Sequence, residues 1–168
     1  MISFLDIDRK NFSRFRSDML EIEKLSFPAP WNLRSFLEEV ANPVSRLTAA
    51  LNSERLSGYA CFWLYAGELH LMNIAIRPEE RCRGLGGMLL ERVLETGRNW
   101  GASFAWLEVR PSNLMARMLY ARAGFKRSGL RKSYYRDTRE DAIIMSLDLS
   151  GGMSEKRLDD KGCILQLT

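Results

Sequence analysis

Residues 69–90 constrain the fold most, because they join an apolar segment to a glycine-rich turn and then to apolar residues at helical spacing. Residues 69–76 are predicted to form a buried strand, and Gly84, Gly86 and Gly87 open the helix that follows. Such a turn leaves several backbone N–H groups unpaired at a helix N-terminus, where the helix dipole also favours negative charge. We therefore predict a phosphate-binding loop, since glycine lets a ligand approach the amides closely.

The residues that this loop lacks narrow the choice of ligand. A Walker-type nucleotide loop ends in Gly-Lys-Ser/Thr, whereas Gly86 is followed by a second glycine. A dinucleotide-binding fingerprint needs a third glycine where Leu89 stands. These missing residues argue against a nucleotide triphosphatase and against a dinucleotide-binding enzyme. The pattern that fits the sequence is Arg81-x-x-Gly84-x-Gly86 after a strand.

The elements around the loop predict an α/β (α+β) fold. A strand over 69–76, a helix over 85–99 and a strand over 103–109 form a crossover that makes the two strands parallel. The other predicted elements are a strand over 2–7, a helix over 11–26, a helix that Asn32 caps and that runs to Val40, strands over 43–51 and 56–65, a helix from Ser112 to Ala123, and strands over 124–132 and 142–149. The sheet is therefore expected to be mixed and mostly antiparallel.

Length and composition indicate one globular domain. At 168 residues with 46% hydrophobic and 27% charged residues, the chain can bury a core of ordinary size. We expect that domain to span residues 1–149 and residues 150–168 to form a C-terminal appendage, because Ser150 and two glycines break the apolar pattern. No apolar run approaches the roughly 20 residues of a membrane span, and residues 1–10 lack a signal-peptide layout, so a cytoplasmic protein is expected.

Cysteine usage and charge exclude several kinds of site. Cys61, Cys82 and Cys163 are widely spaced and the chain has one histidine, His70, so neither a disulfide framework nor a metal site is expected. Cys82 lies in the loop, either as a spectator thiol or as an acyl-carrying nucleophile. The net charge of +4 favours an anionic cofactor and is too small to indicate nucleic-acid binding.

The strand, loop and helix together resemble the pyrophosphate loop of the GNAT family of acetyl-CoA-dependent N-acyltransferases. Further motifs resemble, within that family, the bacterial ribosomal-protein alanine N-acetyltransferases, with the similarity strongest from residue 71 to residue 149. These motifs are Trp106–Asn113, Leu119-Tyr120, Gly124-Phe125, Tyr134-Tyr135 and Glu140–Met145. The resemblance implies a GNAT fold, in which a splayed parallel strand pair is flanked by helices.

The resemblance also implies a role for each matching position. Hydrogen bonds along the strand edge would hold the pantetheine arm of acetyl-CoA, and the loop amides would hold its pyrophosphate. The implied cofactor-binding residues are Ile74, Ala75, Ile76, Cys82, Arg83, Gly84, Leu85, Gly86, Gly87 and Asn113. Family members usually carry basic or glutamine residues around the loop, so Cys82 and Gly87 are departures that weaken the electrostatic attraction for CoA.

Two residues are candidates for proton transfer. Glu108 interrupts the apolar strand over 103–109 near its carboxyl end, beside the strand that enters the loop, which suits a proton acceptor; the alternative is a solvent-exposed carboxylate. Tyr120 follows Asn113 by two helical turns, which suits a proton donor to the leaving thiolate; the alternative is a tyrosine that anchors the helix to the core. Asn113 is also a candidate helix cap.

Two loops are predicted to hold the acceptor. The loop over 28–31 is stiffened by two prolines, and a polar aromatic loop is expected over 134–141. The candidate acceptor-binding residues are Trp31, Tyr134, Tyr135, Glu140 and Asp141, the last two meeting a cationic N-terminal segment. The alternative for both loops is ordinary surface turns.

The expected reaction is direct, sequential transfer of acetyl from acetyl-CoA to a protein N-terminal α-amine, implied by the resemblance to be the N-terminal alanine of a small-subunit ribosomal protein. An α-amine with a pKa near ~8 is neutral far more often at pH 7 than lysine near ~10.4, so it asks less of a base. The alternatives are a small-molecule amine or lysine side chain as acceptor, and a non-catalytic acyl-CoA-binding module.

Overall fold

A computed structural model describes residues 1–151, which form a seven-stranded sheet with helices on both faces. The elements in chain order are β1 (Ile2–Ile7), α1 (Phe12–Ser26), α2 (Leu33–Ala41), β2 (Ser45–Asn52), β3 (Arg55–Tyr65), β4 (Glu68–Ile76), a 3-10 turn (Pro78–Glu80), α3 (Leu85–Trp100), β5 (Phe104–Val109), α4 (Leu114–Arg122), β6 (Lys126–Tyr135) and β7 (Glu140–Asp148). The predicted appendage lies outside the described residues from residue 152 onward.

The strand order is β1-β2-β3-β4-β5-β7-β6. Strands β4 and β5 pair in parallel, and every other neighbouring pair among the described strands is antiparallel. The parallel ladder joins residues 68–71 to residues 104–107 and then stops, although β4 continues to Ile76 and β5 to Val109. The carboxyl ends of the two central strands therefore diverge, which confirms the mixed sheet with a splayed parallel pair.

Apolar residues on the two faces of the sheet form two separate cores. Helix α3 packs on one face, with Leu89, Val93 and Leu94 among its buried residues. Helices α1 and α2 cover the other face, where the spacing of Phe15 and Met19 directs both inward. One apolar residue of α3 does not follow this pattern, because the Met88 side chain is 47% exposed.

Helix ends near the loop follow the predicted signals. The Asn32 Oδ1 atom accepts a hydrogen bond from the Ser35 amide at 3.0 Å, and Asn113 Oδ1 accepts one from the Ala116 amide at 3.1 Å. Helix α3 begins after Gly84, whose φ of +80° lies in the left-handed region that favours glycine. The cap at Asn113 fixes where α4 starts relative to β5.

The hairpin between β6 and β7 differs from the prediction. Tyr134 and Tyr135 belong to β6, and Glu140 and Asp141 belong to β7, so the connecting turn is confined to residues 136–139. Tyr135 pairs with Glu140 across the hairpin. The segment was predicted to be a loop because its residues are polar. Strands in a hairpin at the edge of a sheet also expose polar residues, so polarity does not distinguish the two. No helix within residues 1–151 is long and apolar enough to cross a membrane.

Candidate active site

A cleft of about 740 Å³ opens where β4 and β5 diverge. The segment between α1 and α2 forms one wall, the β6–β7 hairpin forms another, and α4 closes the side next to β5. The cleft brings together seven of the residues predicted for the site: Trp31, Ile74, Glu108, Asn113, Tyr120, Tyr134 and Tyr135. Residues predicted for proton transfer and for acceptor binding thus share one cavity.

The edge of β4 that faces the gap is set by the pairing of β4 with β3. The amide of Arg77 donates to the Ser57 carbonyl at 2.8 Å, so the alternation of an antiparallel ladder turns the backbone of Ala75 toward β3. The backbone groups of Ile74 and Ile76 then point to the open edge. Of the three residues expected to bond the pantetheine arm, Ile74 and Ile76 are placed for backbone contact, and Ala75 is not.

The predicted pyrophosphate loop lies at the end of β4, outside the walls of the cleft itself. A Cβ atom built on Gly84 or Gly87 meets nothing within 4 Å, so open space surrounds the N-terminus of α3. The Leu85 side chain is buried in the core, which leaves only its backbone for a ligand. Cys82 is exposed, with a φ of +59°. The loop has the unobstructed amide end that an anionic group requires.

Two arginines frame this loop. The Arg81 guanidinium donates from Nε to the Ile76 carbonyl at 2.9 Å and to the Ser26 hydroxyl at 2.7 Å, so it ties the loop to β4 and α1. Arg83 is mostly exposed and lies 3.7 Å from the Glu80 carboxylate. Its charge therefore lies directly before the N-terminus of α3.

The Glu108 side chain is 7% exposed and the residue lines the cleft, so it is not the exposed strand-end carboxylate of the alternative. Its Oε2 atom lies 2.6 Å from His70 Nε2, and its Oε1 atom accepts a hydrogen bond from Arg131 at 2.9 Å. Neither partner was predicted. The carboxylate that is aimed at the cleft is thus held at both oxygens.

Tyr120 anchors α4 to the core and also borders the cleft, so its core position does not rule out the proposed proton transfer. It is buried on α4, with its ring 5.9 Å from that of Phe125, and it also lines the cleft. Burial, with a smaller contribution from Tyr135, raises the pKa of the Tyr120 phenol. The hydroxyl therefore stays protonated at neutral pH, as a proton donor must.

The buried residue Glu23, which was not predicted to belong to the site, supports the wall of the cleft formed by the segment between α1 and α2. Glu23 is fully buried; its carboxylate accepts hydrogen bonds from the Trp31 amide at 2.6 Å, from Asn73 Nδ2 at 2.7 Å and from the Tyr59 hydroxyl. Burial raises the pKa of Glu23 in spite of these bonds. The signal available in the sequence was a carboxylate directly after Ile22 of the apolar stripe.

The wall of the cleft that the β6–β7 hairpin forms is aromatic, and the guanidinium of Arg110 packs against it. The guanidinium of Arg110 lies 3.8 Å from the centre of the Tyr135 ring and pairs with Asp137 at 2.9 Å. Burial is the main cause that raises the pKa of Tyr135 to about 12, so its phenol is a hydrogen-bond donor at neutral pH. Tyr134 packs edge-on against it, with ring centres 5.0 Å apart.

The prediction that Glu140 and Asp141 bind the acceptor is wrong, because neither residue lines the cleft. The Glu140 carboxylate accepts hydrogen bonds from the amide and the hydroxyl of Ser112, at 2.8 and 3.1 Å. Asp141 accepts one from the Ser133 amide at 2.7 Å. Both acidic groups therefore stabilise the hairpin and the start of α4, and the carboxylate that faces the cleft from this side is Asp137.

The described residues contain no group of three or more His, Cys, Asp or Glu side chains that is arranged to hold a metal ion. Cys61 is buried as a free thiol, and burial raises its pKa. Cys163 lies outside the described residues.

Comparisons with known proteins find acetyltransferases. Residues 16–125 match the model described as the Acetyltransferase (GNAT) family. The chain is 39% identical to a protein of Bacillus subtilis (strain 168) over 126 residues, 74% of this chain and 83% of the relative. It is 35% identical to the ribosomal protein bS18-alanine N-acetyltransferase of Salmonella typhimurium (strain LT2) over 132 residues, 77% of this chain and 88% of the relative.

Solved structures give the same result. The crystal structure of the ribosomal-protein-S18-alanine N-acetyltransferase from Escherichia coli matches with a TM-score of 0.80 at 29% identity, covering 92% of this chain and 98% of that one. Other structures with TM-scores between 0.72 and 0.76, each 17% identical to this chain, were solved with CoA or acetyl-CoA, and at that identity they show the fold alone.

Proposed function

We propose a reaction for this chain, which belongs to the acetyltransferase (GNAT) family. In this reaction the protein transfers the acetyl group of acetyl-CoA to the N-terminal α-amine of another protein. The observation that carries the proposal is the presence of Glu108 and Tyr120 in one cleft, at the point where β4 and β5 separate. A carboxylate and a protonated phenol are the two groups that amine acylation by a thioester needs.

The proposed transfer needs no covalent enzyme intermediate. The neutral amine attacks the thioester carbonyl carbon, the new C–N bond forms, and the C–S bond breaks. Glu108 accepts the proton that the amine loses, and the Tyr120 hydroxyl supplies the proton that the departing thiolate gains. In this direct, sequential route both substrates are bound together, and the thiol of Cys82 is a spectator.

The proposed cofactor site combines the open edge of β4 with the N-terminus of α3. Backbone groups of Ile74 and Ile76 bind the pantetheine amides, and the amides around Gly84 and Gly86 bind the pyrophosphate. The charge of Arg83 adds to the attraction. Asn113 caps α4 and lines the cleft, which supports a role for its side chain in binding the cofactor.

The proposed acceptor is the N-terminal alanine of a small-subunit ribosomal protein. It rests on the relatives from Salmonella typhimurium and Escherichia coli, which are ribosomal protein S18-alanine N-acetyltransferases. Trp31, Tyr134 and Tyr135 line the side of the cleft where this peptide enters, and the two phenols donate hydrogen bonds to its backbone. Such an acceptor implies that the protein works in the cytoplasm.

The test is a panel of short peptides that differ in their first residue, incubated with acetyl-CoA and analysed by mass. We expect one acetyl group on the Ala-starting peptide and none on the same peptide with a blocked N-terminus and an internal lysine. Acetylation of the blocked peptide would instead favour a lysine acceptor. Cofactor binding without transfer to any amine, unchanged in Glu108→Gln, would indicate a non-catalytic acyl-CoA-binding module.

A further inference from the structure

His70 lies directly behind the carboxylate that faces the cleft. Its Nε2 atom is 2.6 Å from Glu108 Oε2, its side chain is 15% exposed, and it is not among the residues that line the cleft. We propose that His70 is a positioning residue, which holds the Glu108 carboxylate in the orientation that accepts the proton of the amine. This inference rests on the proposed function.

The parallel register of the sheet brings the two residues together. His70 of β4 pairs with Trp106 of β5, so Glu108 follows two residues later on the same face of the neighbouring strand. The imidazole stacks on the Trp106 ring with centres 3.6 Å apart and planes within 9° of parallel. Trp63 closes the other side edge-on at 6.1 Å. The ring is therefore fixed in place before any ligand enters.

The two tryptophans that fix the imidazole are themselves held by carboxylates. Trp106 Nε1 donates to Glu68 at 3.1 Å, and Trp63 Nε1 donates to Glu39 at 2.7 Å. Residues from three strands and one helix therefore hold the His70 ring in place by stacking and hydrogen bonding. A side chain that is supported in this way holds its partner more rigidly than a free histidine does.

The direction of the hydrogen bond follows from the other oxygen of Glu108. The Arg131 guanidinium has only donors and bonds to Oε1 at 2.9 Å, so that oxygen acts as an acceptor. With Glu108 in the acceptor role at both oxygens, the N–H of His70 Nε2 is the donor of the hydrogen bond to Oε2. The Arg131 side chain is 47% exposed, and an exposed arginine constrains its partner weakly. His70 is accordingly the rigid support.

The kinetic test compares two variants of His70. His70→Phe keeps a flat ring on Trp106 but cannot donate, and we expect kcat to fall by about 10-fold to 100-fold while the KM for acetyl-CoA stays within about twofold. His70→Gln keeps an N–H donor near Oε2, and we expect it to recover most of the lost kcat. Wild-type kcat in His70→Phe, with an unchanged melting temperature, would overturn the proposal.

A spectroscopic test does not depend on turnover. The chain contains one histidine, so its imidazole ¹⁵N–¹H signals belong to His70 without further assignment. We expect an Nε2–H signal protected from exchange in the wild-type protein and lost in Glu108→Leu. Absence of that signal from the wild type would refute the contact. A protected signal in a protein that acetylates no amine would refute the proposed function and leave the contact standing, so the two failures are distinguishable.

Discussion

The glycines at the start of α3 provide a test in which two similar substitutions have opposite effects. A Cβ atom on Gly84 or Gly87 meets nothing within 4 Å, so an alanine at either position causes no clash. Gly84 has a φ of +80°, and alanine in that left-handed conformation costs about 1–2 kcal/mol. Gly87 lies inside the helix, where alanine is more favourable than glycine by about 0.5–1 kcal/mol.

We therefore expect Gly84→Ala to lower the melting temperature by roughly 2–8 °C and Gly87→Ala to raise it by roughly 1–4 °C, since about 1 kcal/mol shifts a domain of this size by 2–4 °C. In Gly84→Ala, relief of the backbone strain at residue 84 turns loop amides away from the pyrophosphate. Each charge-assisted hydrogen bond that is lost costs about 1.5 kcal/mol, so the affinity of this variant for acetyl-CoA should fall by about 10-fold or more. Gly87→Ala keeps the helical backbone direction, so we expect it to lower the affinity for acetyl-CoA less than Gly84→Ala does.

Thermal unfolding and titration calorimetry with acetyl-CoA measure both quantities on the same samples. Gly97→Ala is a control in the same helix, because its Cβ would lie 2.5 Å from Leu69 Cδ1 and destabilise the core away from the loop. A Gly84→Ala protein as stable as the wild type, with the same affinity for acetyl-CoA, would refute both the role of the left-handed residue and the position of the pyrophosphate.

Three further substitutions test the chemistry and the cleft wall. Tyr120→Phe should reduce kcat by about 100-fold with little change in the Kd of acetyl-CoA, measured by steady-state kinetics and calorimetry; an unchanged kcat would remove the phenol from the mechanism. Cys82→Ala should keep kcat within about twofold, and an inactive variant that still binds acetyl-CoA would support an acyl-cysteine route. Burial raises the pKa of Glu23, so the folded state binds its proton more tightly than the unfolded state does, and this contribution to stability is present below about pH 4.3 and lost as pH rises through the raised value. Urea unfolding should show that loss in the wild type and not in Glu23→Gln; equal slopes would contradict the assignment.

Local patterns predicted the central unit of the fold because its signals lie close together in sequence. The strand at residues 69–76, the glycines and the apolar spacing of α3 specify their own conformations, and the short crossover fixes the parallel pairing with β5. The N-caps at Asn32 and Asn113 were likewise readable, since a cap bonds to an amide only three residues away.

The supporting contacts were not predictable from such patterns, since they depend on register between distant segments. His70 and Glu108 are 38 residues apart in sequence, and only the pairing of β4 with β5 brings them together. Glu23 reads as part of the polar face of α1, although Tyr59 and Asn73 supply the donors that allow its burial. Glu140 showed how polar residues predicted to bind a ligand can be satisfied within the protein.

In the proposed reaction, the residues that recognise the acceptor and the residues that move protons belong to different elements of the cleft. Glu108 and Tyr120 belong to a strand and a helix, whereas the segment over 27–31 and the turn over 136–139 contribute lining residues from connections outside the helices and strands. Substitutions in these two short connections leave the sheet ladder intact. Descendants of one ancestral gene can therefore acquire new protein targets by altering a handful of codons, while inheriting the transfer chemistry unchanged.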